Sequence, residues 1–456
     1  MEDLHIEIKS NVSFKDNLKF ILPSLLGIIL FMIPIKYNGE ITIPVAIFSK
    51  SLVNLLGESL IYIITSTLVI SAILSTITSI FKPKFILDNK FLSSLFNVGP
   101  LWLTARVFGG LFGALAAFGI GPEIISGGST GAFVLNDLLT VLFSIFLFAG
   151  LLLPLLLNFG LLEFFGSLLT KVMRPVFKLP GRSSIDCITS WLGDGTLGIL
   201  LTSKQYEEGF YTKREAATIS TSFSAVSITF SLVVISQVGL SHMFVPFYLT
   251  VSFAGIVAAI IVPRIPPLSR KSNTYYSENI KEDLEIIPEG YNSLSWGYKN
   301  AIEKARTASN ATEFFKDGFK NVLDMWLGVL PVVMCLATLA LAIAEYTSIF
   351  QVLGTPFIPL LNLLQVPEAA AASQTLVVGF ADMLLPSVLA ANTITNEMTR
   401  FIVACVSVTQ LVYMSEVGGL LLGSKIPVNL KDLIFIFIER TLVTLPVIVL
   451  IANFLF

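Results

Sequence analysis

Charge is what this sequence lacks most. Only 13% of its 456 residues are Asp, Glu, Lys or Arg, about half the share found in soluble domains. Hydrophobic residues make up 54%, with 36 Phe and a mean hydropathy of +0.82. Too few polar side chains remain to coat a soluble particle of this length. The net charge of −2 excludes the basic footprint that nucleic-acid binding needs. Three cysteines, Cys187, Cys335 and Cys405, lie too far apart for a CxxC redox pair or a thiolate zinc cluster. Two histidines, His5 and His242, are too few and too separated for a His-based metal site. No cofactor is expected. A cleavable leader is not expected either, because the first apolar run ends in Pro34-Ile35-Lys36-Tyr37 without a small-residue cleavage site.

The abundant apolar runs point to an all-α polytopic membrane protein. A spanning helix needs about 20 apolar residues. Nine runs qualify, at roughly 17–36, 58–81, 97–119, 137–160, 213–237, 243–264, 321–344, 399–422 and 432–454. Two further stretches, 183–203 and 368–392, are interrupted, the first by Gly193-Asp194-Gly195 and the second by Gly379, Asp382 and Pro386. Gly and Pro break helices, and a carboxylate in mid-membrane is costly. Both stretches read as re-entrant hairpins of two half-helices.

Lys and Arg placement tests this arrangement. With the N-terminus in the cytoplasm and each hairpin returning to its side of entry, cytoplasmic segments hold all but five of the 29 Lys and Arg. The exceptions are Lys36, Lys50, Arg106, Arg400 and Arg440. This is the positive-inside pattern, and it would fail if either hairpin crossed fully. The expected setting is a bacterial cytoplasmic membrane with the lipid bilayer as surroundings.

The order of features repeats. Pro180 opens the first hairpin and Arg214 starts the following span; Pro367 and Arg400 do the same for the second. Entering from opposite sides, the two blocks read as inverted-topology repeats, a pattern of secondary transporters. The division expected is 1–160 for N-terminal scaffold helices, 161–265 for the first repeat, 266–320 for a cytoplasmic linker and 321–456 for the second repeat. The linker segment Trp296–Lys320 has the periodicity of an amphipathic helix, either a gate or partner dock or, more simply, a solvated connection.

Three segments carry a resemblance. Leu179-Pro-Gly-Arg-Ser-Ser-Ile-Asp186, the run from Lys213 to Ser227, and Val408-Thr-Gln-Leu-Val-Tyr-Met-Ser-Glu-Val-Gly418 resemble the YjiH family. These are bacterial inner-membrane proteins with a nucleoside-recognition, or Gate, domain. The likeness runs along nearly the whole chain. Gate domains also occur in concentrative nucleoside transporters and in the ferrous-iron transporter FeoB, so the resemblance implies a transporter-like core. It implies as well a partner, since members often accompany a second, smaller Gate-domain protein.

Ionisable residues inside spans cost about 2.5–3.5 kcal/mol each and call for a use. Asp194 and Asp382 stand at the hairpin breaks, where half-helix ends present free N–H and C=O groups to ions. Each is either a ligand for H⁺, Na⁺ or a substrate amine, or a cap for its second half-helix. Glu416, Tyr413 and Thr409 fall on one stripe of the span 399–422 with Gln410 at its edge, a surface for a polar solute or a helix–helix hydrogen bond. Ser220, Ser224, Ser227 and Ser231 share one helical face, suited to sugar or amide recognition or to close packing. Glu439 and Arg440, adjacent in the last span, are expected to pair with other helices. Arg106 is either an anion site or the partner of a buried carboxylate.

Two enzyme-like motifs fail on context. Gly127-Gly-Ser-Thr-Gly131 has no preceding strand, and Gly418-Gly-Leu-Leu-Leu-Gly-Ser-Lys425 inverts the P-loop Lys-Ser and ends a membrane helix. The expectation is a non-enzymatic secondary transporter of a small polar organic solute (nucleoside, amino acid or small peptide) driven by H⁺ or Na⁺. The alternative is a non-transporting subunit that docks a Gate-domain partner or a second copy of itself.

Overall fold

The computed structural model describes residues 13–33, 35–37, 40–193, 195–226, 228–276, 287–308 and 310–456. Helices α1 (Phe14–Met32), α2 (Pro44–Leu56), α3 (Ser59–Phe81) and α4 (Pro100–Phe118) build the N-terminal part. Between α1 and α2 runs a two-stranded ribbon, β1 (Ile35–Tyr37) and β2 (Glu40–Thr42), which apolar periodicity does not announce.

The remainder contains the same order of elements twice. In the first set, the helical run α5 (Glu123–Leu157) carries a π-helical turn at Val134–Leu139 and is followed by α6 (Leu161–Phe177). A hairpin of α7 (Ser183–Ile188) and α8 (Gly195–Glu207) comes next. Then stand α9 (Lys213–Ser222) and α10 (Ile228–Gln237), two parts of one interrupted helix, and α11 (Phe244–Ile261). After α12 (Ser293–Arg306), the second set opens with α13 (Ala311–Tyr346), which has its own π turn at Asp324–Val329, and α14 (Ile349–Leu363). It continues through the hairpin α15 (Ala369–Val378) and α16 (Leu385–Thr393). The interrupted helix α17 (Glu397–Thr409) and α18 (Val417–Gly423) and the long α19 (Leu430–Leu455) complete it.

Six helical runs among the described residues are long and apolar enough to cross a membrane: α3, α4, α5, α13, α19 and the run Ser241–Arg270 around α11. The other three expected spans differ in instructive ways. The first is α1, whose first two turns carry Lys15, Asp16 and Lys19. The spans expected at 213–237 and 399–422 are each broken in the middle, at 223–226 and 410–416. The chain is thus an all-α polytopic membrane protein. Large apolar side chains of its long helices, such as Leu22, Ile80, Leu249 and Phe454, face outward, as lipid contact requires.

Close helix contacts hold the body together. On α4, a Cβ placed at Gly109 would stand 1.9 Å from the Pro331 carbonyl oxygen of α13, so the two backbones touch in the manner of small-residue membrane interfaces. The two π-turn helices also meet. Trp326 of α13 stacks on Phe143 of α5 with centroids 3.9 Å apart, and its indole N–H donates to the Phe143 carbonyl (2.9 Å). The linker helix α12 docks on α6 and α1 through Ala301, Ile302, Ala305, Phe20 and Phe164. Arg306 pairs with Asp16 at 2.8 Å, and this hydrogen-bonded guanidinium holds the Asp16 carboxyl below its usual range. The amphipathic linker is a docked strut, with α12 separated from the start of α13.

Candidate functional site

Each interrupted helix ends without Gly or Pro. Helix α9 begins on a capping box of Thr212 and Glu215 and stops at Phe223. Its last turn is rich in Ser and Thr, whose side chains compete for backbone groups; the Ser224 hydroxyl donates to the Ser220 carbonyl (2.5 Å). Helix α17, capped by Asn396, stops at Thr409, and Leu411 adopts a left-handed φ of 59°. The helix break in each set lies against its own hairpin turn. In the second set, the Met414 and Ser415 amides donate to the Phe380 and Ala381 carbonyls (2.8 and 2.9 Å). In the first, Gly195 sits so close to the 224–225 backbone that an added Cβ would be 2.9 Å from the Ala225 carbonyl oxygen.

The two breaks face one cavity. Its lining takes Ala225 and Val226 from the first break, Thr409 and Leu411 from the second, Trp191 from the first hairpin and Arg440 from α19. Ser231 of α10 and Tyr248, Ser252 and Gly255 of α11 close it. The cavity offers about 20 Å³, room for about one water-sized group. Arg440 is wholly buried. Its Nε donates to the Thr409 carbonyl (2.9 Å), and among the described residues neither Nη1 nor Nη2 has a hydrogen-bond partner. The Trp191 indole nitrogen and the Ser231 hydroxyl are also buried without partners.

Of the residues singled out from sequence, Ser231, Thr409 and Arg440 reach this cavity. The Thr409 hydroxyl donates to Thr444 (3.2 Å). Gln410 instead holds helices together, donating to the Leu376 carbonyl and the Thr441 hydroxyl (2.8 and 2.9 Å). Tyr413 is buried and close enough to Arg440 to act on its charge. Asp382 is buried at the second hairpin turn, accepts from the Leu384 amide (2.8 Å) just before α16 and lies beside Ser415. Glu416 is half-buried at the start of α18. Because α17 ends at Thr409, the stripe expected of Thr409, Tyr413 and Glu416 on one helix does not form. The same holds for the serines: Ser220 is on α9, Ser224 in the break and Ser231 on α10, so they share no helical face. Asp194 and Ser227 lie outside the described residues. Arg440, expected to pair across helices, bonds a backbone carbonyl, and no ion pair with a carboxylate forms among the described residues. Arg106 donates to the Ser75 hydroxyl and the Leu95 carbonyl and feels the charge of Asp324.

The chain matches the nucleoside-recognition (Gate) family over residues 139–241. It is also 51% identical over 450 residues to an uncharacterised protein of Alkalihalophilus pseudofirmus, with 99% of this chain and 97% of that protein covered. The chain belongs to that Gate-domain family. The Gate segment begins inside α5, takes in the first hairpin and the first interrupted helix, and ends before α11. It therefore supplies Trp191, Ala225, Val226 and Ser231 to the cavity, while Thr409, Leu411 and Arg440 come from the second set of elements.

A second polar cluster, which sequence reasoning gave no role, anchors the Gate hairpin. Asp186 accepts from Thr202 (2.9 Å) and Gln205 (2.5 Å). Arg182 donates through Nε to Gln205 (2.6 Å), lies over the Phe210 ring at 3.4 Å and stands 3.7 Å from Glu163. The only advance signal was that Arg182 and Asp186 belong to the conspicuous Leu179–Asp186 segment.

Proposed function

We propose that this Gate-domain protein is a secondary-active transporter that binds a small polar organic solute in the cavity between its two interrupted helices. One observation carries the reading: backbone breaks from two distant parts of the chain, at 223–226 and 410–416, line the same partly open cavity. Unwound helices that meet around a site are how transporters free backbone groups for a ligand inside a bilayer. In this reading the two sets of elements, α5 to α11 and α13 to α19, are inverted repeats joined by the linker that carries α12. One moves against the other to expose the cavity to either side in turn, with an H⁺ or Na⁺ gradient supplying the work. The N-terminus is cytoplasmic, in a bacterial inner membrane. Nucleosides, amino acids and small peptides remain the cargo classes.

The test is counterflow in liposomes containing the purified full-length protein, with labelled uridine, leucine and alanyl-phenylalanine offered under H⁺ and Na⁺ gradients. Expected is uptake above that of empty liposomes for one class, lost with Trp191→Ala. If no class is taken up by this chain alone but uptake appears with a co-expressed Gate-domain partner, the subunit reading replaces it.

A further inference from the structure

The cavity is supplied with donors and short of acceptors. A guanidinium and an indole N–H can only donate. Here Arg440 keeps two terminal nitrogens unpaired at zero exposure, with the unpaired Trp191 Nε1 and Ser231 hydroxyl lining the same space. Buried polar groups are nearly always satisfied, and a buried charge without a partner is among the costliest arrangements in a protein. The other two deeply buried arginines each leave one nitrogen without a hydrogen-bond partner among the described residues but have a nearby carboxylate. Arg182 has Glu163, Gln205 and the Phe210 face, and Arg106 has two hydrogen bonds and the field of Asp324.

We propose that Arg440, with Trp191 and Ser231, binds the carboxylate of the solute, so that the cargo is a small organic monoanion. This rests on the transport reading. One unpaired cation balances one negative charge, whereas a phosphate dianion would leave a net charge in an apolar enclosure. The planar fork of Arg matches a carboxylate. Around it, Val226, Val251, Leu411 and the rings of Trp191 and Tyr248 suit an apolar body. A neutral nucleoside offers carbonyl acceptors but no negative charge to balance Arg440. Asp194, three residues beyond Trp191, lies outside the described residues and enters the test as the internal alternative.

The experiment is thermal unfolding of the purified full-length protein in chloride-free buffer. The probes are N-acetyl-leucine, N-acetyl-phenylalanine and N-acetyl-alanyl-phenylalanine, all monoanions at neutral pH, each against its neutral C-terminal amide, with uridine and sodium chloride as further arms. Expected is a rise of several degrees with at least one acid and at least tenfold weaker binding of its amide. Arg440→Lys, which keeps the charge and removes the fork, should weaken the acid at least tenfold; Ser231→Ala should weaken it less, and Asp194→Asn should leave it bound. Equal binding of acid and amide, or binding of uridine that Arg440→Lys does not change, overturns the carboxylate inference and leaves the transport reading standing. Chloride alone producing the full shift overturns it in favour of an inorganic ion. If no acid shifts the wild type and Asp194→Asn destabilises as much as Arg440→Lys, Arg440 has an internal partner and the inference falls, while counterflow still judges transport.

Discussion

Arg182 ties together four pieces of chain: α6 through Glu163, the turn before α7, α8 through Gln205, and the segment after α8 through Phe210. Taking away one member of a buried charged network leaves the others stranded, at about 3–5 kcal/mol. Arg182→Ala should therefore lower the melting temperature of the purified protein sharply. Arg182→Lys should recover little, because the flat guanidinium both stacks on Phe210 and reaches Gln205, and an ammonium does neither. A Lys variant melting like wild type would show that charge alone holds the hairpin. The residue types here were plain in the sequence, but their relation was not. Arg182 and Gln205 meet only because α7 and α8 fold back on one another, and no helical or strand period brings them together. Arg440 was legible as a costly charge in an apolar run. That its partner is a backbone carbonyl freed by a helix break was not.

Hairpins and long spans were legible as elements. Gly195 opens the second half-helix of the first hairpin, Gly379 and Asp382 fall in the turn of the second, and six of the nine expected spans coincide with helical runs long and apolar enough to cross a membrane. The interrupted helices escaped because apolar periodicity runs straight through them: residues 410–416 contain no Gly or Pro, and Leu411 pays for a left-handed backbone in return for contacts distant in sequence. Those contacts are backbone hydrogen bonds from Met414 and Ser415 to the second hairpin turn, so side-chain truncation should spare them and only loss of an amide should break them. Met414→Pro should destabilise the protein by about 3 kcal/mol or more. Met414→Leu, similar in volume at a buried site, should stay within about 1.5 kcal/mol. Denaturant titration of both variants measures this, and equal stability would mean that the pairing of break and hairpin contributes nothing.

At the scale of the whole molecule, tight contacts and the cavity occupy different places. The α4–α13 contact at Gly109 and the α5–α13 stack of Trp326 on Phe143 are close-packed and apolar, which suits a frame that stays fixed. The cavity lies instead where the Gate segment meets α11, the second interrupted helix and α19, among side chains with unspent hydrogen-bonding capacity. A molecule built to move would place its low-stability contacts there. The native cysteines are all buried, so a single thiol added at the cavity reports with little background. In Ser231→Cys, a transporter must expose residue 231 to each side in turn. A membrane-impermeant maleimide should therefore label it both in right-side-out and in inverted vesicles, and bound solute should slow labelling from both sides. A docking subunit has no reason to open its core twice. Labelling from one side only, or from neither, would remove alternating access from the account of this protein whatever ligand the cavity binds.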